Sequence, residues 1–311
     1  MKQLFFLLLA CFAIIIASGQ KALYPCQGGQ AAFLIEDAVC NYNPWQLVFE
    51  DNFDGASLDT TKWEIQPWGQ GSLQGDKHSY QYYSLDNVSI ENGICKIIAR
   101  KETVVRRAVS YMNDTIILSD GLPNLRTYYY TSSNIWTIEK FGYSKFEIRC
   151  KIPKGKGFWP AFWLFGAPYG KYNEVDIFEF WNEDNYSLFS RVVHMNVHYP
   201  TGDDMCQSNF VGTDFSKDFH TFTFLYDNYK LEWYVDGELK RRITKFYSML
   251  GQAMDCNSLQ IWQQYVVKSI YPRDPMAVIL NLALQSGDGS PNGTTPFPSA
   301  FEIDYVRVWQ Q

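Results

Sequence analysis

From Trp45 onward the chain is a series of short runs in which apolar and polar residues alternate, each closed by a turn signal. The runs WQLVFEDNF, NVSIENGICKIIARK, KFEIRCKIP, RVVHMNVHYP, HTFTFLYDN, KLEWYVDGEL, MAVILNLAL and FEIDYVRVW show two-residue alternation or a β-branched and aromatic core. A period of two sends successive side chains to opposite faces, so these runs predict β-strands. Glu91-Asn92-Gly93, Asp227-Asn228 and Asp236-Gly237 mark turns, and KLEWYVDGELKRR reads as a hairpin across Asp236-Gly237. A turn or two of helix is expected only around Phe246 to Gln252. Arg106 to Ser133 is poor in pattern and rich in Asn, Asp, Ser and Tyr, and reads as long loops at a rim. Many short strands without an internal repeat predict an all-β fold, a β-sandwich or jelly roll, over residues 45–311.

One run breaks the alternation. In NEVDIFEF, Asn173 to Phe180, the apolar residues are Val175, Ile177, Phe178 and Phe180. Glu174 and Asp176 are two apart and share a strand face. The next position on that face is Phe178, and the third acid, Glu179, falls one residue late. A bulge at Ile177-Phe178 returns Glu179 to the face of the other two. The two Glu Cα atoms then lie roughly 13 Å apart, and long side chains leaning over a short Asp bring their carboxyls closer. A retaining glycosidase needs about 5 to 5.5 Å between them. Three neighbouring carboxylates cannot all ionise without cost, so one stays protonated beside an ionised partner. The same spacing also suits a metal site or the solvated side of a strand, and alone it is a weak signal.

Composition and charge narrow the partners. Aromatic residues make up 17% of the chain, which suits strands and flat stacking surfaces. The net charge is −6 without a long basic run, which argues against nucleic acid and anionic membranes as partners. Trp159 and Trp163, in GKGFWPAFWLFG, are four apart and share a strand face. They are candidates for sugar stacking, with burial in the core as the competing reading, stronger for Trp163.

Lys2, the apolar stretch Leu4 to Ala17 and the small residues Ala17-Ser18-Gly19 read as a signal peptide over residues 1–19, without a spanning helix. Leu8-Leu9-Ala10-Cys11 offers a lipoprotein-type alternative, which leaves secreted, periplasmic and lipid-anchored locations open. Residues 20–44 read as an N-terminal extension. An exported chain permits disulfides. Cys26 with Cys40 is a local candidate and Cys206 with Cys256 a second, whereas Cys95 and Cys150 sit in strand-like runs and read as buried hydrophobes.

NEVDIFE resembles the signature of glycoside hydrolase family 16 in its ExDxxE, β-bulge form. WQLVFEDNFDGASLDTTKW, QYYSLDNVSIENGICKIIARKE, KFGYSKFEIRCKIPKGKGFWPAFWLFG, HMNVHY, KLEWYVDGEL and FPSAFEIDYVRVW resemble further family segments in the family's order. The flavour is laminarinase-like. The resemblance implies a jelly roll of two antiparallel sheets with a concave substrate cleft. It implies Glu174 as nucleophile, Glu179 as acid/base and Asp176 between them, with Trp159, Trp163 and His198 near the substrate. His194 is read as structural. It also implies a structural calcium site at Asn52, the Gly93 carbonyl and Asp304, although Asn52 stands where many members have Glu. His78-Ser79 and Gly170-Lys171-Tyr172 depart from the laminarinase pattern at the cleft. The expectation is a secreted, monomeric endo-glycosidase without a catalytic cofactor, cutting β-1,3- or mixed β-1,3/1,4-glucan. A red-algal galactan hydrolase and a non-catalytic glycan-binding protein of the same fold remain as alternatives.

Overall fold

The computed structural model describes residues 29–32, 44–65, 80–107, 125–166, 173–181, 188–198, 207–254, 265–268, 271–272 and 274–311. The stretch read as a signal peptide, Cys11, Cys26, Cys40, Cys206, Cys256, His78-Ser79 and Gly170-Lys171-Tyr172 lie outside them.

Among the described residues, fifteen strands form two antiparallel sheets. Eight belong to a rear sheet: β1 (Gln46–Asp51), β3 (Val88–Glu91), β4 (Ile94–Ala99), β6 (Ser144–Lys151), β11 (His220–Tyr226), β12 (Lys230–Val235), β13 (Glu238–Thr244) and β15 (Ser299–Gln310). Seven form a front sheet: β2 (Trp63–Glu64), β5 (Asn134–Thr137), β7 (Phe158–Gly166), β8 (Asn173–Glu179), β9 (Val192–His198), β10 (Ser208–Val211) and β14 (Ala277–Leu284). The front order is β10-β9-β8-β7-β14-β5-β2, and the rear order is β13-β12-β11-β6-β15-β4-β3, with β1 on β15. This is the expected two-sheet all-β sandwich, of the jelly-roll kind.

The alternation read from the sequence becomes the inside and outside of these sheets. In β6 alternate residues, Phe146 and Ile148 among them, are buried while their neighbours are half-exposed. Phe162, Leu164, Val175, Phe178 and Val197 of the front sheet meet Phe222, Phe224, Phe301 and Ile303 of the rear in one core. Each buried Phe or Leu contributes about 1.5–3 kcal/mol by leaving water. Phe178 bridges the layers, its ring 4.5 Å from Phe222 and 6.0 Å from Phe301, both on the rear sheet. It therefore ties the acid-bearing strand to the sheet behind it. Cys95 and Cys150 are free thiols buried in this core, where desolvation pushes both well above the ordinary thiol range.

The hairpin turns follow their sequences. Asn92 and Gly93 have φ of 54° and 74°, and Asp236 and Gly237 have φ of 50° and 81°. Two successive positive φ values make the type I′ turn, whose twist matches the flanking strands. At Asp227-Asn228 the Asp227 carboxylate accepts from the amides of Tyr229 and Lys230.

Two expectations need correction. Around Phe246 to Gln252 there is no helix: Phe246–Ser248 is a strand that turns at Gly251 to pair with Ala253–Met254. It also pairs with Tyr265–Lys268, which carries Gly29–Ala32 on its other edge. The pattern-poor segment is not all loop. Val104–Arg107 pairs antiparallel with Leu125–Tyr128, and Thr131–Ser132 pairs parallel with Tyr82–Tyr83.

Candidate active site

The bulge is present on β8. Against β9, Glu174 faces His198 and Asp176 faces Asn196, but Glu179 faces His194. Three residues of β8 are spent where β9 spends two. Against β7 the same slip appears, with Asp176 opposite Trp163 and Phe178 opposite Phe162. Ile177 and Phe178 both enter the core cluster, so the extra residue is absorbed on the buried side. Glu174, Asp176 and Glu179 are left together on the outer face of the front sheet.

Cross-strand register builds the rest of that face in rows. The first row runs His198, Glu174, Phe165, Ala277, and the second Asn196, Asp176, Trp163, Ile279, Trp136. The third runs His194, Glu179, Ala161, Asn281, Asn134. Trp136, Trp163 and Phe165 pack edge-to-face, with centroids 5.7–6.0 Å apart, over Ala277 and Ile279. This apolar patch adjoins the acids and offers a sugar ring a flat surface. Trp163 is half-buried within it, and its indole donates to Asn281 Oδ1 at 2.8 Å. Trp159 is half-buried too, and its indole donates to Glu179 Oε1 at 2.9 Å. Both tryptophans thus belong to the acid-bearing face.

His198 faces the acids. Its Nε2 lies 3.1 Å from Asp176 Oδ2 and 3.5 Å from Glu174 Oε1. Glu174, Asp176 and His198 each place one donor atom within 4.8 Å of the others. His194 is 1% exposed, stacked on Trp181 at 4.5 Å, with its Nδ1 3.0 Å from Asn209 Oδ1.

Burial and crowding set the acidity. Desolvation, then the Asp176 charge, pushes Glu174 up to about 8, against a smaller opposing pull from His198. Desolvation and then Asp176 push Glu179 up to about 8, with the Trp159 hydrogen bond pulling down. Desolvation raises Asp176 to about 7, and Arg241 opposes it. Three charges do not coexist here at neutral pH, and the trio keeps at least one proton. A pair of carboxyls that differ in protonation is what a double displacement at a sugar carbon uses.

The residues named for calcium are arranged differently. A Cβ on Gly93 would lie 3.9 Å from the Asn52 carbonyl, so these two backbones approach. The Asn52 side-chain oxygen accepts from Arg307 at 3.1 Å, however, and Asp304 pairs with Arg149. Side chains committed to guanidinium groups do not fit a dication as they stand, and no step below uses one.

Trp136, Phe165, Asn281, Trp233 and Arg241 were not singled out from the sequence. The first three lie in apolar runs whose period does not reveal which face is the outer one. The last two lie on the other sheet.

The family model for glycosyl hydrolases family 16 matches residues 102–294. The X-ray structure of endo-β-1,3-glucanase from Pyrococcus furiosus superposes with a TM-score of 0.64 at 30% identity, over 86% of this chain and 94% of that one. A β-glucanase of Rhodothermus marinus is 27% identical over 86% of this chain and 85% of its own length. Glucan endo-1,3-β-glucosidase A1 of Niallia circulans is 27% identical over 85% of this chain, which spans 38% of that protein's length. The match covers more than half of the chain together with the acid-bearing strand, so the chain belongs to glycosyl hydrolases family 16 and is a glycoside hydrolase.

Proposed function

We propose that this chain is a secreted, retaining endo-glucanase that cleaves β-1,3- or mixed β-1,3/1,4-glucan. The observation that carries the mechanism is the bulge, which sets Glu174, Asp176 and Glu179 on one face beside an aromatic patch. The names of the relatives above favour a glucan as the polysaccharide.

In the first step the Glu174 carboxylate attacks the anomeric carbon. The bond from that carbon to the bridging oxygen breaks, and Glu179 gives its proton to the departing oxygen. His198 lies beside Glu174 and Asp176 and favours charge on Glu174, while on Glu179 its pull comes after desolvation, the Asp176 charge and the Trp159 bond. Glu179 accepts from Trp159 at Oε1, which leaves Oε2 to carry the proton. Ester formation removes the Glu174 charge and lowers the affinity of Glu179 for a proton. Glu179 then takes a proton from water, the water oxygen attacks the anomeric carbon, and Glu174 leaves as carboxylate. Two inversions give net retention. The catalytic steps need protein carboxyls and water alone. The apolar stretch Leu4 to Ala17 with its small-residue boundary supports export, and among the described residues no helix is long and apolar enough to cross a membrane.

The test is release of reducing ends from laminarin, lichenan, agarose and porphyran by the purified protein. Activity on laminarin or lichenan is expected. Cleavage of the galactans alone would replace the substrate, and glycan binding without turnover would overturn the enzymatic reading.

A further inference from the structure

Arg241 is a half-buried cation on the rear sheet that the steps above do not use. Two bulges bring it into place. On β8, the slip between Asp176 and Glu179 interrupts pairing with β9. The Asp176 carbonyl instead accepts from the Trp233 indole of β12, at 3.1 Å. On the rear sheet, β12 and β13 slip between Trp233 and Tyr234, so that Trp233 faces Arg241 and Tyr234 faces Leu239. Lys240 is the extra residue. Without that slip Lys240 would stand opposite Trp233. With it, the Arg241 guanidinium lies 4.7 Å from the Trp233 ring centroid and donates to the Met195 carbonyl of β9 at 2.6 Å. One rear-sheet pair therefore grips β8 at its bulge and β9 beside it.

We infer that Trp233 and Arg241 are positioning residues for the hydrolytic reaction, Trp233 holding the bulge by the Asp176 carbonyl and Arg241 supplying positive charge behind the Asp176 carboxylate. This rests on the reading of the trio as the hydrolytic machinery. Withdrawing a guanidinium from water is costly unless a partner repays it. Among the groups facing Asp176, Glu174 and Glu179 lie on its own strand, His198 on β9 and Arg241 behind, while Trp163 on β7 brings no charge. A histidine side chain ordinarily changes charge near neutrality. Arg241 stays charged throughout that range, since burial lowers it only to about 10. It thus favours an ionised Asp176 whatever the state of His198, and a charged Asp176 raises Glu179, the group that must keep a proton.

The experiment is a pH–rate series on wild type, Arg241→Gln, Arg241→Lys and Trp233→Phe, with thermal midpoints measured alongside. Gln keeps a donor for the Met195 carbonyl but loses the charge. Its acid limb is expected to move up by about one unit, the shift of a carboxyl losing an opposite charge. Activity then falls about tenfold one unit below the wild-type limb and recovers above it. Lys is expected to restore the limb. An equal loss at every pH, with Lys no better than Gln, would overturn the role of Arg241. Trp233→Phe leaves the charge and removes the bond to the bulge. A fall in kcat of about fivefold with KM within twofold is expected, the worth of one hydrogen bond. An unchanged kcat overturns the role of Trp233. A variant that does not fold is read through NMR of 13Cγ-aspartate in wild-type protein, where a buried aspartate that does not ionise until well above pH 8 would contradict the charge assignment. The same titration stands without any substrate. A wild type inactive on every glucan but with the expected titration would fault the reaction and leave the pairing intact.

Discussion

Glu232 and Asp176 are both buried acids, one on each sheet, and their surroundings differ in kind. Glu232 has no exposed side-chain surface. Burial alone would raise it, yet the Tyr234 hydroxyl at 2.7 Å, Lys230 at 3.1 Å and Arg242 at 2.5 Å hold it below the ordinary carboxylate range. Asp176 is nearly as buried and has acids on both sides of it along the strand, with His198 in front and Arg241 behind. Its group is raised. Sequence alone hints at the difference: Glu232 lies between Lys230 and Tyr234 on a strand with a basic partner strand, whereas NEVDIFEF has no cation within it. Glu232, a structural acid, is neutralised by its partners. The proposed catalytic acids are left to share protons, which makes them costly to the fold and useful to the reaction.

The comparison breaks most visibly in turnover. Glu174→Ala and Glu179→Ala are expected to lose at least about 10²–10⁴-fold in kcat, the range of one acid–base partner, with Glu174 at the upper end because it forms the covalent bond. Glu232→Gln should keep kcat within about twofold at a temperature where it is folded. Reducing-end assays on the responsive glucan check all three.

Stability should change in opposite directions at the two sites. A carboxyl whose folded pKa is raised costs nothing below its unfolded value of 4.5, and its cost grows as pH rises through the folded value of about 8. Glu179→Gln removes that cost. Its thermal midpoint should exceed wild type by about 2 °C or more at pH 8.5 and match it near pH 4. Glu232 is the reverse case, with stability present above its unfolded pKa and lost as pH falls through the lower folded one. Glu232→Gln should therefore lose about 1–3 kcal/mol at neutral pH by denaturant unfolding. A stabilised Glu232→Gln or a destabilised Glu179→Gln would remove the contrast.

A smaller effect separates contact from packing at Trp159. Trp159→Phe keeps an aromatic face but loses the hydrogen bond to Glu179 Oε1. That bond favours the charged form, so Glu179 should hold its proton longer. The alkaline limb of kcat should move up, by about one unit at most. An unmoved limb would assign Trp159 to stacking alone.

Much of this site was legible along the chain because it is local. The late Glu179 in NEVDIFEF gave away the bulge, since a strand's period of two leaves no other way to align three acids. Asn92-Gly93 and Asp236-Gly237 marked their hairpins for a similarly local reason, the positive φ that type I′ turns demand. Long-range arrangements were not legible. Trp233 meets the Asp176 carbonyl across 57 residues of sequence, and Arg241 reaches the Met195 carbonyl only because Lys240 is bulged out. Val104–Arg107 and Leu125–Tyr128 carry no alternation, so their pairing is invisible until the chain closes on itself. Phe246 to Gln252 misled because spaced apolar residues in a short run suit a helical turn as well as a strand ending at a glycine.

The central claim is that the bulge on β8 divides labour between Glu174 as nucleophile and Glu179 as acid/base. The most direct measurement uses a glucosyl-β-1,3-(2-deoxy-2-fluoro-β-glucosyl) fluoride, whose fluorine at C2 of the reacting sugar slows hydrolysis of the covalent intermediate, followed by intact mass and peptide mapping. The account predicts one disaccharide per chain, esterified to Glu174, with turnover restored as the label is released. A label on Glu179 or Asp176, or an active enzyme that takes no label and yields the inverted anomer, would contradict it.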